Sequence, residues 1–386
     1  MNKPGKFQTG SVLTISIAHL IHDVYSSFLA PLLPLLIDKL SISYSMAGFL
    51  TVVQRLPAFL NPLIGIIADK IAIRYVLIIS PAITAISMSL LGVAPSYTLI
   101  AVLLLVAGLG SAMFHVPGPV MIKFIAGNRI GKGMSFFMLG GELARSIAPV
   151  FILGAVSIWG LEGSYKVMPI GVLASVILFF KFRNIKISEE LKHRAEEKTT
   201  SIKSTFRKHL SLFIKIAGIY IFISLLKSVF TAFLPTFLTG EGNSLWEGGI
   251  ALALLQLTGA IGAFMSGTIS DKLGRRNTLL ITSIVAPILT ILFLLTKGLL
   301  LFIVLILLGF FLISSTPVIL AITNELKSEH PGFINGIQMT INFVTGALSV
   351  FIVGFMGDLF GLYTTYIACA LLSLLSIPFI LSLKKK

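Results

Sequence analysis

Residues 65–74 read GIIADKIAIR and residues 267–276 read GTISDKLGRR. Gly65 pairs with Gly267, Asp69 with Asp271, Lys70 with Lys272 and Arg74 with Arg276, all at an offset of 202. Pro117 and Pro317 repeat at an offset of 200. A chain of 386 residues therefore uses one plan twice. Its composition says what the plan is made of. Hydrophobic residues are 56%, charged residues only 12% and the mean hydropathy is +0.98. A soluble domain carries about 25% charged residues. Apolar runs of roughly 20 residues recur throughout, long enough to cross a bilayer as helices. They are too long for the ~10-residue alternating strands of an outer-membrane barrel.

Twelve spans are expected, at about 12–37, 46–68, 74–94, 97–124, 133–158, 164–182, 210–238, 247–269, 276–296, 298–325, 333–357 and 362–383. The fold class is an all-α polytopic membrane protein of two pseudo-symmetric six-helix bundles. The N-terminal bundle covers 1–182 and the C-terminal bundle 210–386. The polar stretch 183–209, RNIKISEELKHRAEEKTTSIKSTFRKH, links them. The first apolar run is too long for a signal-peptide core and is read as a retained span. The single cysteine, Cys369, allows no disulfide within the chain.

Positive charge sets the expected orientation. With a cytoplasmic N-terminus, Lys39, Lys166 and Lys297 fall outside and Arg55, Arg145, Lys215 and Lys227 fall within helices. The other 23 of the 30 Lys and Arg are cytoplasmic. That is a strong positive-inside bias. It accounts for the net charge of +15 through topology and lipid headgroups, with no nucleic-acid partner. Both termini and the linker are placed in the cytoplasm, and the location is the cytoplasmic membrane. Because both copies of the repeated loop lie on one face, the repeat is parallel, about an axis along the membrane normal.

GTISDKLGRR resembles the loop motif of the major facilitator superfamily at Gly267, Asp271, Lys272, Gly274, Arg275 and Arg276. GIIADKIAIR is similar, with Ala72 and Ile73 where Gly and Arg are usual. The resemblance implies that these loops latch the cytoplasmic side, with gate residues Gly65, Asp69, Lys70, Arg74, Gly267, Asp271, Lys272, Arg275 and Arg276. Asp69 would face the start of span 11 and Asp271 the start of span 5, where helix N-termini carry partial positive charge. Within the superfamily, HLIHD (19–23), GSAMFH (110–115) and GGE (140–142) resemble the fosmidomycin-resistance group of exporters. The resemblance also implies that spans 1, 4, 7 and 10 line a cavity and that spans 3, 6, 9 and 12 face lipid.

Eight ionisable residues lie deep in the spans: His19, His22, Asp23, Arg55, His115, Glu142, Arg145 and Lys227. A charge at the bilayer centre costs at least ~2.5–3.5 kcal/mol, so such residues mark sites or mutual pairs. His19 and Asp23 are four apart and Glu142 and Arg145 three apart, so each pair shares a helix face. A carboxylate beside a histidine is a proton-binding unit. Asp23, His19, His22, Glu142 and Arg145 are therefore the proton-coupling candidates. Arg55, His115, Lys227, Gln256, Gln338 and Asn342 are the substrate-binding candidates. Each has a structural alternative: Asp23 with His19 as a fixed pair, Glu142 with Arg145 as a buried pair, Lys227 as a snorkelling cation. Titratable groups concentrate in the first half and neutral hydrogen bonders in the second.

The expected function is secondary active transport of a small anionic or amphipathic organic molecule. Proton-coupled efflux by antiport, as in drug resistance, leads. Uptake by organic anion–proton symport stands beside it, because ARSIAPVFILG (144–154) has Ala144 and Ala148 where antiporters of the superfamily carry glycines. A membrane sensor or channel is a third reading. No Walker loop is present, so this chain does not itself use ATP. No enzymatic activity, cofactor or resident metal is expected, although His19, His22 and Asp23 are in principle metal donors. The expected partners are the substrate, protons and the bilayer, with the chain acting as a monomer.

Overall fold

The computed structural model describes residues 7–61, 73–127, 129–184, 202–326 and 331–383. Among the described residues every regular element is a helix. Eight stretches are long and apolar enough to cross a membrane: Thr9–Leu40, Tyr97–Ile125, Ile130–Phe182, Lys203–Gly240, Leu245–Leu273, Arg275–Leu295, Gly298–Thr323 and Gly336–Leu381. Arg74–Ser89 is a shorter apolar helix. The difference from twelve has two sources. The stretches of 53 and 46 residues each run through two expected spans. The second expected span is described only as a helix at Tyr44–Arg55 and a 3-10 turn at Leu56–Leu60. Each long stretch breaks at one glycine with positive φ, Gly160 (φ 72°, ψ 172°) and Gly361 (φ 75°, ψ 157°). Without a Cβ, glycine enters that region at little cost. The helical path is thus kinked at one glycine in each half, at an offset of 201.

Two prolines shape the first unit. The first span is split into α1 (Thr9–Ser26) and α2 (Leu29–Leu40), and Pro31 has no N–H to continue the ladder across the break. The helix that follows, α3, is Tyr44–Arg55, and α4 is Ile73–Ser89. The fourth span is split into α5 (Tyr97–His115) and α6 (Pro117–Ile125). Pro117 starts α6, so His115 stands at the end of α5. Next come α7 (Ile130–Gly163) and α8 (Met168–Phe182). The second half has α9 (Ile202–Gly240), α10 (Leu245–Leu273), α11 (Arg275–Leu295), α12 (Gly298–Ile313), α13 (Ser315–Asn324), α14 (Pro331–Ser373) and α15 (Ser376–Leu381).

The chain divides into two compact units, Met1–Leu40 with Val53–Glu196, and Ser41–Val52 with Glu197–Lys386. The first has a core around Val12, Ile15, Phe114, Met121, Phe137 and Phe182. The second has a core around Ile216, Tyr220, Leu279, Val318, Ile319 and Ile380. The two repeat a close helix approach. A methyl group on Gly108 would collide with the Gln54 carbonyl oxygen, and one on Gly309 with the Leu255 carbonyl oxygen. Both partners are offset by 201. On α11, Ile281, Ile284, Ile288, Leu292 and Leu295 are exposed at helical spacing, an apolar stripe suited to lipid.

Residues 41–52 pack with the second unit because of Asp358. Its carboxylate accepts hydrogen bonds from the backbone N–H of Tyr44 (2.6 Å) and Ser45 (2.9 Å) and from the Ser45 hydroxyl. An acid on the free N–H groups of a helix start is favourable by both hydrogen bonding and the helix dipole. The sequence reading did not single out Asp358.

Candidate functional site: an acceptor cluster in the first unit

His19, His22 and Asp23 lie on α1 and are all buried. They meet α7 through Gly140 and Gly141. A methyl group on Gly141 would stand 2.7 Å from His19 Cε1 and 3.1 Å from an Asp23 oxygen. The glycine pair of GGE therefore clears the space that the site fills. The His19 ring stacks on Phe137 (centroids 4.0 Å apart), and the His22 ring stacks on Phe114 (4.6 Å). Phe114 and Phe137, which the sequence reading passed over, wall the imidazoles in.

His115 joins this cluster from the end of α5. Its Nε2 lies 3.2 Å from His19 Nε2 and 3.3 Å from Asp23 Oδ1. His19 Nε2 lies 3.3 Å from Asp23 Oδ2. Hydrogen bonds on the far side of each ring decide the tautomers. His19 Nδ1 is 2.7 Å from the Phe137 carbonyl oxygen, and His115 Nδ1 is 2.9 Å from the Ser111 carbonyl oxygen. A carbonyl only accepts, so each Nδ1 carries the hydrogen and each neutral ring turns a bare Nε2 inward. Two imidazole lone pairs and a carboxylate then converge with no hydrogen between them. Buried acceptors left facing one another are strongly unfavourable. His19 and Asp23 are buried while 39% of the His115 side chain is exposed, so the cluster offers acceptors to a proton or small cation from a solvent-accessible side. One donor atom each from His19, Asp23 and His115 lie within 4.8 Å of one another.

His22 does not share in this. Both its ring nitrogens lack a hydrogen-bond partner, and its Nε2 is 3.9 Å from Asp23 Oδ1. Asp23 Oδ1 also makes no hydrogen bond, although His115 is close. Further along α7, just past Gly141, Arg145 Nη1 donates to both oxygens of Glu142, at 3.0 and 3.1 Å. Arg55 closes the last turn of α3.

The neutral candidates of the second unit are placed differently. Gln338 is buried and donates to the Tyr220 hydroxyl at 2.6 Å, so its amide is engaged inside the unit. Lys227, Gln256 and Asn342 are half-buried. In the repeated loop, Arg275 ion-pairs with Asp271 and with Glu325 (3.0 Å) and bonds the Ser270 hydroxyl and the Gly267 carbonyl (3.2 Å). Lys272 and Arg276 flank it at the junction of α10 and α11. Of the first copy of the loop, the guanidinium of Arg74 lies over the Tyr75 ring. Gly65, Asp69 and Lys70 lie outside the described residues, as does most of the linker.

Comparison with known proteins adds to this geometry. The chain is 24% identical over 376 residues to the fosmidomycin resistance protein of Escherichia coli (strain K12), covering 95% of this chain and 91% of that protein. It is 26% identical over 384 residues to an uncharacterized MFS-type transporter of Bacillus subtilis (strain 168), with 98% and 93% covered. Among solved structures, a bacterial homologue of the human lysosomal transporter Spinster, inward-facing and unoccupied, superposes with a TM-score of 0.81 at 15% identity, covering 97% and 96% of the chains. A D-xylose–proton symporter gives 0.77 at 13% identity, with 98% of each covered. The Major Facilitator Superfamily description matches residues 15–350. The chain is a multi-pass membrane protein and belongs to the Major Facilitator Superfamily.

Proposed function

We propose that the protein is a proton-coupled exporter of a small anionic or amphipathic organic molecule, working by alternating access. One observation carries the coupling: His19, Asp23 and His115 turn only acceptor atoms toward a shared centre. A proton on either Nε2 converts that ring into a donor and satisfies the cluster. Asp23 is its charge and His19 its first ring. His115, expected to contact substrate, is reassigned to the proton. Glu142 and Arg145 connect this cluster to the substrate path. Export is supported by the similarity to a protein named for fosmidomycin resistance.

A second reading, organic anion–proton symport, has one observation in its favour. Ala144 and Ala148 are fully buried where antiporters of the superfamily carry glycines. The experiment uses purified protein in liposomes under an imposed pH gradient. Substrates come from a thermal-shift screen of organic anions and cationic drugs at two pH values. Accumulation driven opposite to proton flow supports export, and accumulation along it supports symport. Repeating the assay with a chelator, and with added Zn²⁺, separates a proton from a metal ion at the cluster.

The Asp271–Arg275 loop serves as the cytoplasmic latch in this reading, and both termini are cytoplasmic. Cysteine labelling of Ser201→Cys and Asn243→Cys in a Cys369→Ala background tests the orientation. An impermeant reagent added to intact cells should reach position 243 and not position 201.

A further inference from the structure

The distances inside the acceptor cluster suit a second occupant besides a proton. His19 Nε2 and His115 Nε2 are 3.2 Å apart, and each faces its own oxygen of Asp23 at 3.3 Å. Two donors on a tetrahedral ion with bonds of about 2.0–2.1 Å stand roughly 3.3–3.4 Å apart. The three side chains are therefore already spaced as ligands of one small ion.

The outer contacts fit the same role. A histidine that binds a metal through Nε2 almost always gives its Nδ1 hydrogen to a carbonyl, a carboxylate or water, which fixes the ring and makes the ligating nitrogen more basic. Both rings do this, His19 to the Phe137 carbonyl at 2.7 Å and His115 to the Ser111 carbonyl at 2.9 Å. Stacking on Phe137 holds the His19 ring as well. Gly141 on α7 keeps the donor atoms themselves clear. A methyl group there would stand 2.9 Å from His19 Nε2 and 3.1 Å from Asp23 Oδ2. Among the described residues, no other three His, Cys, Asp or Glu side chains bring their donor atoms together in this way.

We propose that His19, Asp23 and His115 bind one divalent first-row transition-metal ion of the Zn²⁺ class. Two imidazoles and one carboxylate favour such an ion over Mg²⁺ and Ca²⁺, which take oxygen donors. Three protein donors leave a fourth position open. His115 is the exposed member of the set and His19 and Asp23 are buried, so the ion enters past His115. Its two charges exceed the single charge of Asp23, and water or a solution anion at the open position balances the remainder. His22 stays outside the set, with its Nε2 3.9 Å from Asp23 Oδ1. Bound here, the ion takes the seat of the coupling proton and stops transport. That consequence, unlike the site itself, rests on the transporter reading.

Titration of Co²⁺ into the purified, tag-free full-length protein tests the site. Held by these donors at low coordination, Co²⁺ should gain an intense visible absorption that the octahedral aquo ion lacks. The signal should saturate at one ion per chain and disappear when Zn²⁺ is added. Asp23→Asn and His19→Gln should each weaken Co²⁺ binding at least about 100-fold, the upper end of what loss of an outer partner costs. His115→Gln should do the same, and its exposed position keeps the test open if the buried variants do not fold. Gly141→Ala retains every donor and should weaken binding about tenfold by crowding them. Absorption no stronger than that of the aquo ion overturns the site. So does binding that survives His115→Gln, which marks an adventitious ion only. Zn²⁺ at a saturating concentration should also halt pH-driven accumulation in liposomes. Metal binding without that block overturns the coupling role of the cluster and leaves the metal site standing. Accumulation by a protein that binds no Co²⁺ overturns the metal site and leaves the transport reading standing.

Discussion

The first and second halves are built on one backbone plan and have been given opposite contents. Both kink at a positive-φ glycine, Gly160 and Gly361, and both press a glycine onto a carbonyl, Gly108 on Gln54 and Gly309 on Leu255. The first half then buries His19, His22 and Asp23 with the exposed His115 beside them, and leaves Asp23 Oδ1 and both His22 nitrogens without hydrogen bonds. The second half buries Tyr220 and Gln338 against each other and ties Tyr366 to the Val229 carbonyl. A satisfied polar pair rigidifies a bundle, whereas an unsatisfied acceptor cluster demands an occupant. Backbone symmetry is thus a packing requirement, and it leaves the chemistry of each half free to diverge.

The sharpest way to break this comparison is to remove the central charge of each half. Asp23→Asn should abolish pH-gradient-driven accumulation in liposomes, a loss of at least about tenfold, while substrate counterflow persists. Lys227→Ala should leave coupling intact and weaken binding of an anionic substrate by about tenfold, the scale of one charged contact. If Lys227→Ala uncouples transport and Asp23→Asn does not, the division between the halves is wrong. Direct binding and accumulation assays on the same preparations decide it.

A second test asks whether the shared plan is real. Gly108→Ala and Gly309→Ala each drive a methyl group into a backbone carbonyl oxygen. Each should cost on the order of 1–3 kcal/mol, as overpacking does. Matched falls in melting temperature would sharpen the structural equivalence. A loss at one position only would confine the close approach to that half.

The smallest expected effect concerns the repeated loop. Asp271→Asn removes one of the two carboxylates on Arg275, while Glu325 and the Gly267 carbonyl remain. The loop should loosen without unfolding. Spin-label distances across the face that carries this loop should shift toward longer separations in a minority population. Unchanged distances would reduce the loop to its role in topology.

Much of the architecture could be read before any coordinates. Hydropathy showed a membrane chain, because backbone groups in lipid must bond within helices and apolar length then counts crossings. The 202-residue offset of the two loops exposed the repeat, and the histidines and aspartate of α1 stood out because charge is rare at that depth. The number of separate helices was not legible. At Gly160 and Gly361 the chain turns within one residue, where the sequence suggests a loop, and the second span is described only in part.

Spacing along one helix could relate His19 to Asp23, but no sequence rule could bring His115, 96 residues from His19, into the same cluster. The glycines of GGE and the stacking of Phe114 and Phe137 did that. So did the two carbonyls, from Phe137 and Ser111, that set the tautomers. Likewise, Gln338 read as a free hydrogen bonder and proved to be held by Tyr220. Sequence alone determined that this chain is a twice-used helical membrane plan with a few ionisable groups deep in its spans, since the energetics of lipid act on each segment locally. Tertiary structure decided which of those groups face one another and with which atoms, because convergence within a few ångströms depends on helix packing that no single segment encodes.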